Sequence, residues 1–536
     1  MKEKFSKINS KFYIALSGIL LGISIAFAEV GIIAYFALIP LSLVLYTKLF
    51  GEKYRARAAY LDGFIFFFSF DFVAFHWICY FYPLDFAGLT NLQAIGVILL
   101  GWIGLSALQS IFSAFVFVIL SRISRLRWVR ENPILIAFLA PALFAVNEWT
   151  QTLTWAGVPW GRIAISQTEM PLLLQTASLF GSYFLTFFIV LCNFLLGFAI
   201  LHAEKRKNII KLTCGILVAF VLLSTVLFLI PTRSDEGLSV GVVQGNMPSQ
   251  EQVGGMFYSG KLDTYCELSR KASDDGADII IWPEGVFAKD INDYAELDGK
   301  LVRIKQALKE LSVEIGKTIV IGTLSQNADG TEFYNSISVF YPDGEVNIGA
   351  YSKRRLVPFG EFLPLRDLVE SVLPILSLIN TLQTDLTPGE ESTVFGALEK
   401  NDDKSIGALM CFDSIYESLG IDSARSGAEM LIIPSDDSWF YDSRALNMHH
   451  SQNILRAVEQ GKYTVSCGNT GLSSIVSDKG VIVEKMPIFT EDYLVNTVYF
   501  SSHRTLYSYI GNLFVYICMG FVISPFAFEL IHKKKK

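Results

Sequence analysis

Between residues 12 and 230 the sequence is a series of long apolar runs joined by short polar connections. A bilayer core takes roughly 20 apolar residues per helix, which places seven spans near 12–27, 32–46, 64–81, 92–120, 134–149, 172–201 and 209–230. An eighth run covers 510–531. With 536 residues, 52% of them hydrophobic, and a mean hydropathy of +0.42, the chain is too long for one ordinary domain and too apolar for a wholly soluble protein. Lys2, Lys4, Lys7 and Lys11 precede the first run as they would a signal peptide. No small-residue cleavage site ends that run and a second span follows at once, so it is expected to be retained as a helix.

The formal net charge of −7 conceals a segregation of sign, with most acids between Asp235 and Asp492 and many bases clustered between apolar runs. The N-terminal lysines, then Lys48, Lys53, Arg55 and Arg57, then Arg122, Arg125, Arg127 and Arg130, then Lys205, Arg206, Lys207 and Lys211 fall in every second connection, Arg162 being the exception. Lys and Arg flanking membrane helices stay on the cytoplasmic side, so these clusters are orientation signals and not a nucleic-acid surface. Both termini are therefore expected in the cytoplasm, with Lys533 to Lys536 closing the alternation. The expected organisation is a membrane domain of seven transmembrane helices over 1–231, an extracytoplasmic domain over 232–505, and a last transmembrane helix with a basic tail over 506–536.

Residues 232–505 have the composition of a soluble α/β domain. Eight β-rich runs (LSVGVVQ, ADIIIWP, TIVIGT, SISVFY, SIGALMC, EMLIIPS, YTVSCG and GVIVEK) alternate with helical stretches at 263–274, 301–315 and 444–460, and Pro342-Asp343-Gly344 marks a hairpin turn. Strands recurring with helices between them argue for sheets covered by helices. The seven cysteines (Cys79, Cys192, Cys214, Cys266, Cys411, Cys467 and Cys518) have no paired spacing, so neither a zinc site nor a disulfide framework is written here.

Three polar residues stand where apolar strands stop: Glu284 after ADIIIWP, Lys353 after the SISVFY hairpin, and Cys411 after SIGALM. Side chains at the carboxyl ends of strands converge on one face of an open α/β sheet. A carboxylate, an amine and a thiol together suit acyl transfer: Glu284 removes the thiol proton, Cys411 attacks a carbonyl carbon, and Lys353 with the Phe412 backbone N–H stabilises the oxyanion. A helix expected to begin at Cys411 would aim free N–H groups at the sulfur and favour thiolate. By spacing alone, Glu284 and Lys353 also read as a surface ion pair and Cys411 as a small buried hydrophobe.

The set Trp282-Pro283-Glu284, Lys353 upstream of LVPFGE with Glu361, and Cys411 in LMCFD resembles the Glu-Lys-Cys signature of the carbon–nitrogen hydrolase (nitrilase) superfamily. Over nearly the whole chain it is similar to one branch, the bacterial apolipoprotein N-acyltransferases. The resemblance extends to Gly245-Asn246, VPFGEFLPL at 357–365, SDDSWF at 435–440, a Gly-Asn-x-Gly turn at 468–471, Trp77, Glu148-Trp149 and GVPWG at 157–161. It implies an α-β-β-α sandwich on a membrane base of about eight helices in the bacterial plasma membrane. It also implies a two-step reaction. Cys411 takes an acyl chain from a phospholipid as a thioester and passes it to the amine of a diacylglyceryl-cysteine at a lipoprotein N-terminus, while Glu284 acts as base, Lys353 holds the oxyanion and Glu361 positions Lys353. No metal or cofactor is expected, and the protein is expected to be a monomer whose partners are the phospholipid donor, the lipoprotein acceptor and the membrane.

The stretch 362–386 is unusually apolar for a soluble loop, with Leu373, Ile375, Leu376, Leu378 and Ile379 in succession. It reads either as a helix packed on the domain's own core or as a lid, with Leu376 and Ile379 touching acyl chains. Trp439 and Trp160 are candidates to line the acyl path, an interfacial aromatic belt being the other reading of Trp160. Asp71, costly in lipid, is expected to face a polar interior. His449-His450 lacks a third ligand spaced nearby and reads as a solvated helix face.

Three departures from the family pattern stand out. The nucleophile is followed by Phe412-Asp413 in place of Tyr-Glu, altering the expected rim of the thiol. The loop after Asn246 offers Met256 and Phe257 in place of a Lys-Trp pair, and Ser435-Asp436-Asp437 replaces Ser-Asn-Asp, adding negative charge near the cleft. Two other functions remain open: a membrane-tethered amidase or hydrolase with water as acceptor, and a non-catalytic lipoprotein-binding homologue. A transporter is disfavoured because the spans lack a chain of charges.

Overall fold

The computed structural model of the chain describes residues 10–51, 54–84, 87–232, 236–247, 261–287, 290–378 and 385–534. The chain divides into two compact units, one of residues 1–79, 98–230 and 510–536 and the other of residues 80–97 and 231–509. The second unit thus takes in residues 80–97, the end of the third run, the connection after it and the start of the fourth, all of which the sequence places in the membrane domain.

All eight apolar runs fall in helical segments, nearly all of them in the first unit. Among the described residues six are long and apolar enough to cross a membrane: Ala28–Leu49, Asn91–Ile123, Pro133–Thr150, Ser182–Leu201, Arg206–Leu229 and Leu513–Ile531. The first expected span is the shorter helix Ser10–Ala26, and the third, Ala56–Ala74, carries Arg57, Asp62 and Asp71. The run at 64–81 is not one helix, since a 3-10 turn, His76–Phe81, follows Ala74. The run at 172–201 is divided by Gly181, whose φ of 76° ends one helix and lets the next start at Ser182. Asp71 is buried and accepts a hydrogen bond from Ser110 Oγ at 3.1 Å. Arg162 is fully buried over the Tyr183 ring and bonded to Ser182, so the one exception to the basic-loop count is an interior cation.

In the second unit two six-stranded sheets stack. In the first, Asp492–Tyr499, Gly237–Gln244, Ile279–Ile281, Thr318–Gln326, Phe333–Phe340 and Val346–Ser352 lie side by side; in the second, Ile482–Lys485, Ser474–Val476, Thr464–Gly468, Met430–Ser435, Ser405–Ala408 and Val394–Gly396. All eight predicted runs are strands. Between the sheets Val240, Ile281, Val320 and Ile337 meet Ile406, Ile432, Val465 and Ile475. On the outer face of the first sheet, Ile280, Ile319 and Ile321 pack on the helices Lys261–Asp274 and Ile304–Ile315. Glu417–Arg425 and Arg444–Gln460 cover the second sheet, completing an α-β-β-α sandwich. Burying a side chain such as Ile432 or Ile319 is worth about 1.5–3 kcal/mol, so both the inner layer and the helix-covered face contribute to the sandwich's stability.

The predicted helix at 301–315 begins only at Ile304, because residues 300–303 pair with 294–297 as a small hairpin. The helix Arg444–Gln460 corrects the reading of a solvated histidine face: His449 and His450 are both buried.

Candidate active site

Each predicted reactive residue leaves a strand at the same edge of the sandwich. Glu284 follows Ile279–Ile281 by three residues, and Gly322 on the neighbouring strand lets it lie there: a Cβ on Gly322 would come within 2.6 Å of the Glu284 Cα. Lys353 follows Val346–Ser352, fixed by its N–H to the Asn335 carbonyl at 2.7 Å. Glu361 sits in the tight 357–361 loop, whose Val357 N–H donates to Glu361 Oε2 at 2.8 Å. Cys411 ends the run after Ser405–Ala408, with φ of 49°.

These residues converge. Lys353 Nζ donates to Glu284 Oε1 at 2.8 Å and to Glu361 Oε1 at 3.0 Å, with Lys353 only 2% exposed and Glu284 6%. A surface ion pair is thereby ruled out. Asn335 Nδ2 donates to the same two oxygens at 2.7 Å each, and the Asp436 N–H donates to Glu284 Oε2 at 2.9 Å. Burial opposes both charges, yet the pair wins: Glu284 and Glu361 hold the Lys353 ammonium well above its ordinary value, while Lys353 and the Asp436 N–H hold Glu284 below its own.

Cys411 does not match the thiolate expectation. A five-residue 3-10 turn, Cys411–Ile415, intervenes before the α-helix at Glu417, so no long helix aims its N-terminus at the sulfur. Desolvation and the neighbouring Glu284 charge push the thiol well above its ordinary pKa, only partly offset by Lys353. The resting thiol is therefore protonated, with Glu284 placed to take its proton. Among the described residues the Phe412 N–H donates to no other group and is available to an oxyanion.

The two residues after Cys411 do not form the expected rim of its thiol. Phe412 is buried with its ring edge-on to Tyr416, and Asp413 is wholly buried. Asp413 accepts from Tyr351 Oη at 2.6 Å, Arg355 N at 2.7 Å, Arg354 N at 3.2 Å and Met410 N at 3.2 Å, which ties the Lys353 segment to the Cys411 turn. Burial pushes Asp413 up to about 6, against these donors. Asp436 accepts from Ser438 and Asn469, and burial pushes it up to about 7, so its charge beside Glu284 is partly neutralised near neutral pH.

The substrate-contact candidates lie apart. Trp439 is half-buried in the 3-10 turn Asp437–Phe440. Trp160 belongs to the other unit, buried against Trp77 with ring centroids 5.1 Å apart. Leu376 is half-buried in the turn Pro374–Leu378; Ile379, Met256 and Phe257 lie outside the described residues. No residue of the helix Arg366–Val372 is buried, and Leu365, Leu368, Val372 and Leu373 are exposed, so this helix is not packed on the core, although Leu363 and Leu386 at the ends of the stretch are buried. Asn335 and His449 escaped the sequence reading; the available signal for Asn335 was an amide interrupting the strand run FYNSISVF.

A carbon–nitrogen hydrolase family model matches residues 239–506, and the model "Apolipoprotein N-acyltransferase N-terminal domain" matches residues 17–195. A curated apolipoprotein N-acyltransferase of Geobacter metallireducens is 28% identical over 528 residues, covering 96% of this chain and 94% of that one. One of Thermotoga maritima is 27% identical over 527 residues, covering 96% and 93%. Among solved structures, Saccharomyces cerevisiae Nit3, of branch 10 of the nitrilase superfamily, is similar with a TM-score of 0.36 and 17% identity over 51% of this chain and 93% of that one. With both models matched in order, the chain belongs to the carbon–nitrogen hydrolase family, in the branch that carries the apolipoprotein N-acyltransferase N-terminal domain.

Proposed function

We propose that the protein is a membrane-bound N-acyltransferase that moves a fatty acyl chain from a phospholipid, through a Cys411 thioester, to the N-terminal amine of diacylglyceryl-cysteine in lipoproteins. The observation that carries this reading is the buried set of Glu284, Lys353 and Glu361 beside a protonated Cys411. Glu284 takes the thiol proton as sulfur attacks the ester carbonyl carbon. Lys353 and the Phe412 N–H meet the oxygen that gains charge. The carbon–oxygen bond to glycerol then breaks, and Glu284 returns the proton to the leaving alkoxide. In the second half the acceptor amine attacks the thioester and gives a proton to Glu284; as the carbon–sulfur bond breaks, Glu284 passes that proton to the leaving sulfur, restoring the thiol and the carboxylate. Glu361 and Asn335 keep Lys353 at the oxyanion position throughout.

The exposed apolar residues Leu365, Leu368, Val372 and Leu373, with half-buried Leu376 after them, support a lid that admits lipid chains; Trp439 is kept in this reading as a residue of the acyl path. The basic connections support a bacterial plasma-membrane location with this domain outside. The test is mass spectrometry of a model diacylglyceryl lipopeptide incubated with the purified protein and phosphatidylethanolamine. A third acyl chain on the amine, lost in Cys411→Ala, is expected; release of free fatty acid without that product would make the protein a hydrolase instead.

A further inference from the structure

A second buried polar pair stands beside the nucleophile and is used by none of these steps. His449, 1% exposed, directs Nδ1 to Asp437 Oδ1 at 2.9 Å and Nε2 to the Cys411 carbonyl oxygen at 3.1 Å, with Ser414 Oγ at 3.0 Å from the same nitrogen. A carbonyl oxygen only accepts, so a hydrogen bond to it needs a hydrogen on Nε2, with the Ser414 hydroxyl oxygen accepting alongside; the Asp437 carboxylate oxygen accepts from a hydrogen on Nδ1. A ring with both hydrogens is an imidazolium. Burial opposes that charge, but Asp437, the Cys411 carbonyl and Glu284 outweigh it and raise the His449 pKa. Cys411 and the adjacent His450 also lie beside it, and burial pushes His450 down to about 4 and leaves it neutral.

The carbonyl that His449 grips belongs to an unusual residue. Cys411 holds a φ of 49°, a left-handed conformation unfavourable for a residue with a side chain, and it persists only where its surroundings enforce it. The Cys411 carbonyl and the Phe412 N–H share one planar trans peptide and point in opposite directions across it. Gripping the carbonyl from one side therefore aims the N–H on the other. We propose that His449, as an imidazolium braced by Asp437, is a positioning residue that fixes the Cys411–Phe412 peptide plane and so directs the Phe412 N–H at the oxyanion. Its catalytic consequence rests on the acyl-transfer reading above.

The test compares wild type with His449→Gln, His449→Ala and the control His450→Gln, all as full-length protein in detergent micelles and all checked for thermal unfolding. Single-turnover acylation of Cys411 by phosphatidylethanolamine gives the rate at saturation and the phospholipid dependence, and Phe-selective 15N labelling reports the Phe412 amide. His449→Gln is expected to lower the saturated rate on the order of ten- to a hundredfold with little change in half-saturating phospholipid. Added imidazole should partly restore His449→Ala. The wild-type rate should fall on the alkaline side as the ring loses a proton, and His449→Gln should lack that limb. The Phe412 amide resonance should move in both His449 variants and stay in place in His450→Gln. Folded His449 variants with wild-type rates and pH dependence would overturn the inference. If wild type forms no thioester, the acyl-transfer reading fails by itself, and the Phe412 resonance then decides: displacement in the His449 variants upholds the positioning role, and an unmoved resonance ends it.

Discussion

At the residue scale the site is one ammonium between two carboxylates, with a neutral thiol beside them. That balance gives Glu284 two opposite effects on Cys411: it is the proposed base, and its charge is one of the causes that hold the thiol pKa up. Glu284→Gln is therefore expected to abolish acyl transfer while lowering the Cys411 pKa, since the repelling charge is gone and Lys353 remains. Iodoacetamide alkylation followed against pH checks this. The variant should label at lower pH than wild type, and a midpoint that rises or stays fixed would contradict the electrostatic account. The convergence of Glu284, Lys353 and Cys411 was legible in the sequence because a polar residue directly after an apolar strand has few places to go, whereas Glu361, in a loop, was marked only by the family resemblance of its VPFGE motif. Asn335, Asp413 and His449 were not, because their roles depend on which strand and turn lie opposite, and that is settled only when the sandwich closes.

At the element scale the segment from Leu365 to Leu376 behaves unlike the rest of the second unit, presenting apolar side chains that its own core does not use. An exposed cluster of this kind marks a contact surface, here proposed to meet lipid. Leu368→Asp with Leu376→Asp is expected to slow acylation from phospholipid vesicles by about tenfold or more while sparing a soluble short-chain thioester substrate. Equal losses on both substrates would remove the lid. Element type was readable wherever periodicity was strong, as with the strand runs and the helix Arg444–Gln460. It misled at Cys411, where one left-handed residue converts an expected helix start into a 3-10 turn, and at His449-His450, where burial against a second sheet overrides polarity.

At the scale of the whole molecule, stability carries a pH signature from buried acids. Asp413 and Asp436 are raised to about 6 and about 7, above the roughly 3.9 of an unfolded aspartate. Their favourable contribution is full below the unfolded value and is lost as pH rises through the folded one. Thermal unfolding of the purified protein should accordingly show less stability at pH 8 than at pH 5 from this source. Asp436→Asn should flatten that fall by several degrees, at roughly 2–4 °C per kcal/mol recovered; an unchanged slope would mean that Asp436 is charged at no cost. The division into an apolar helical part and an α/β part was plain from composition, but its boundary was not. Residues 80–97 join the second unit, and within it Phe81 stacks on Phe440, ring centroids 6.4 Å apart, with Phe440 in turn edge-on to His449. Recombination between relatives therefore has no clean single breakpoint near residue 231: a graft that exchanges the carboxy-terminal part alone would pair one lineage's Phe440 with another lineage's residue 81, so the two positions must be inherited together.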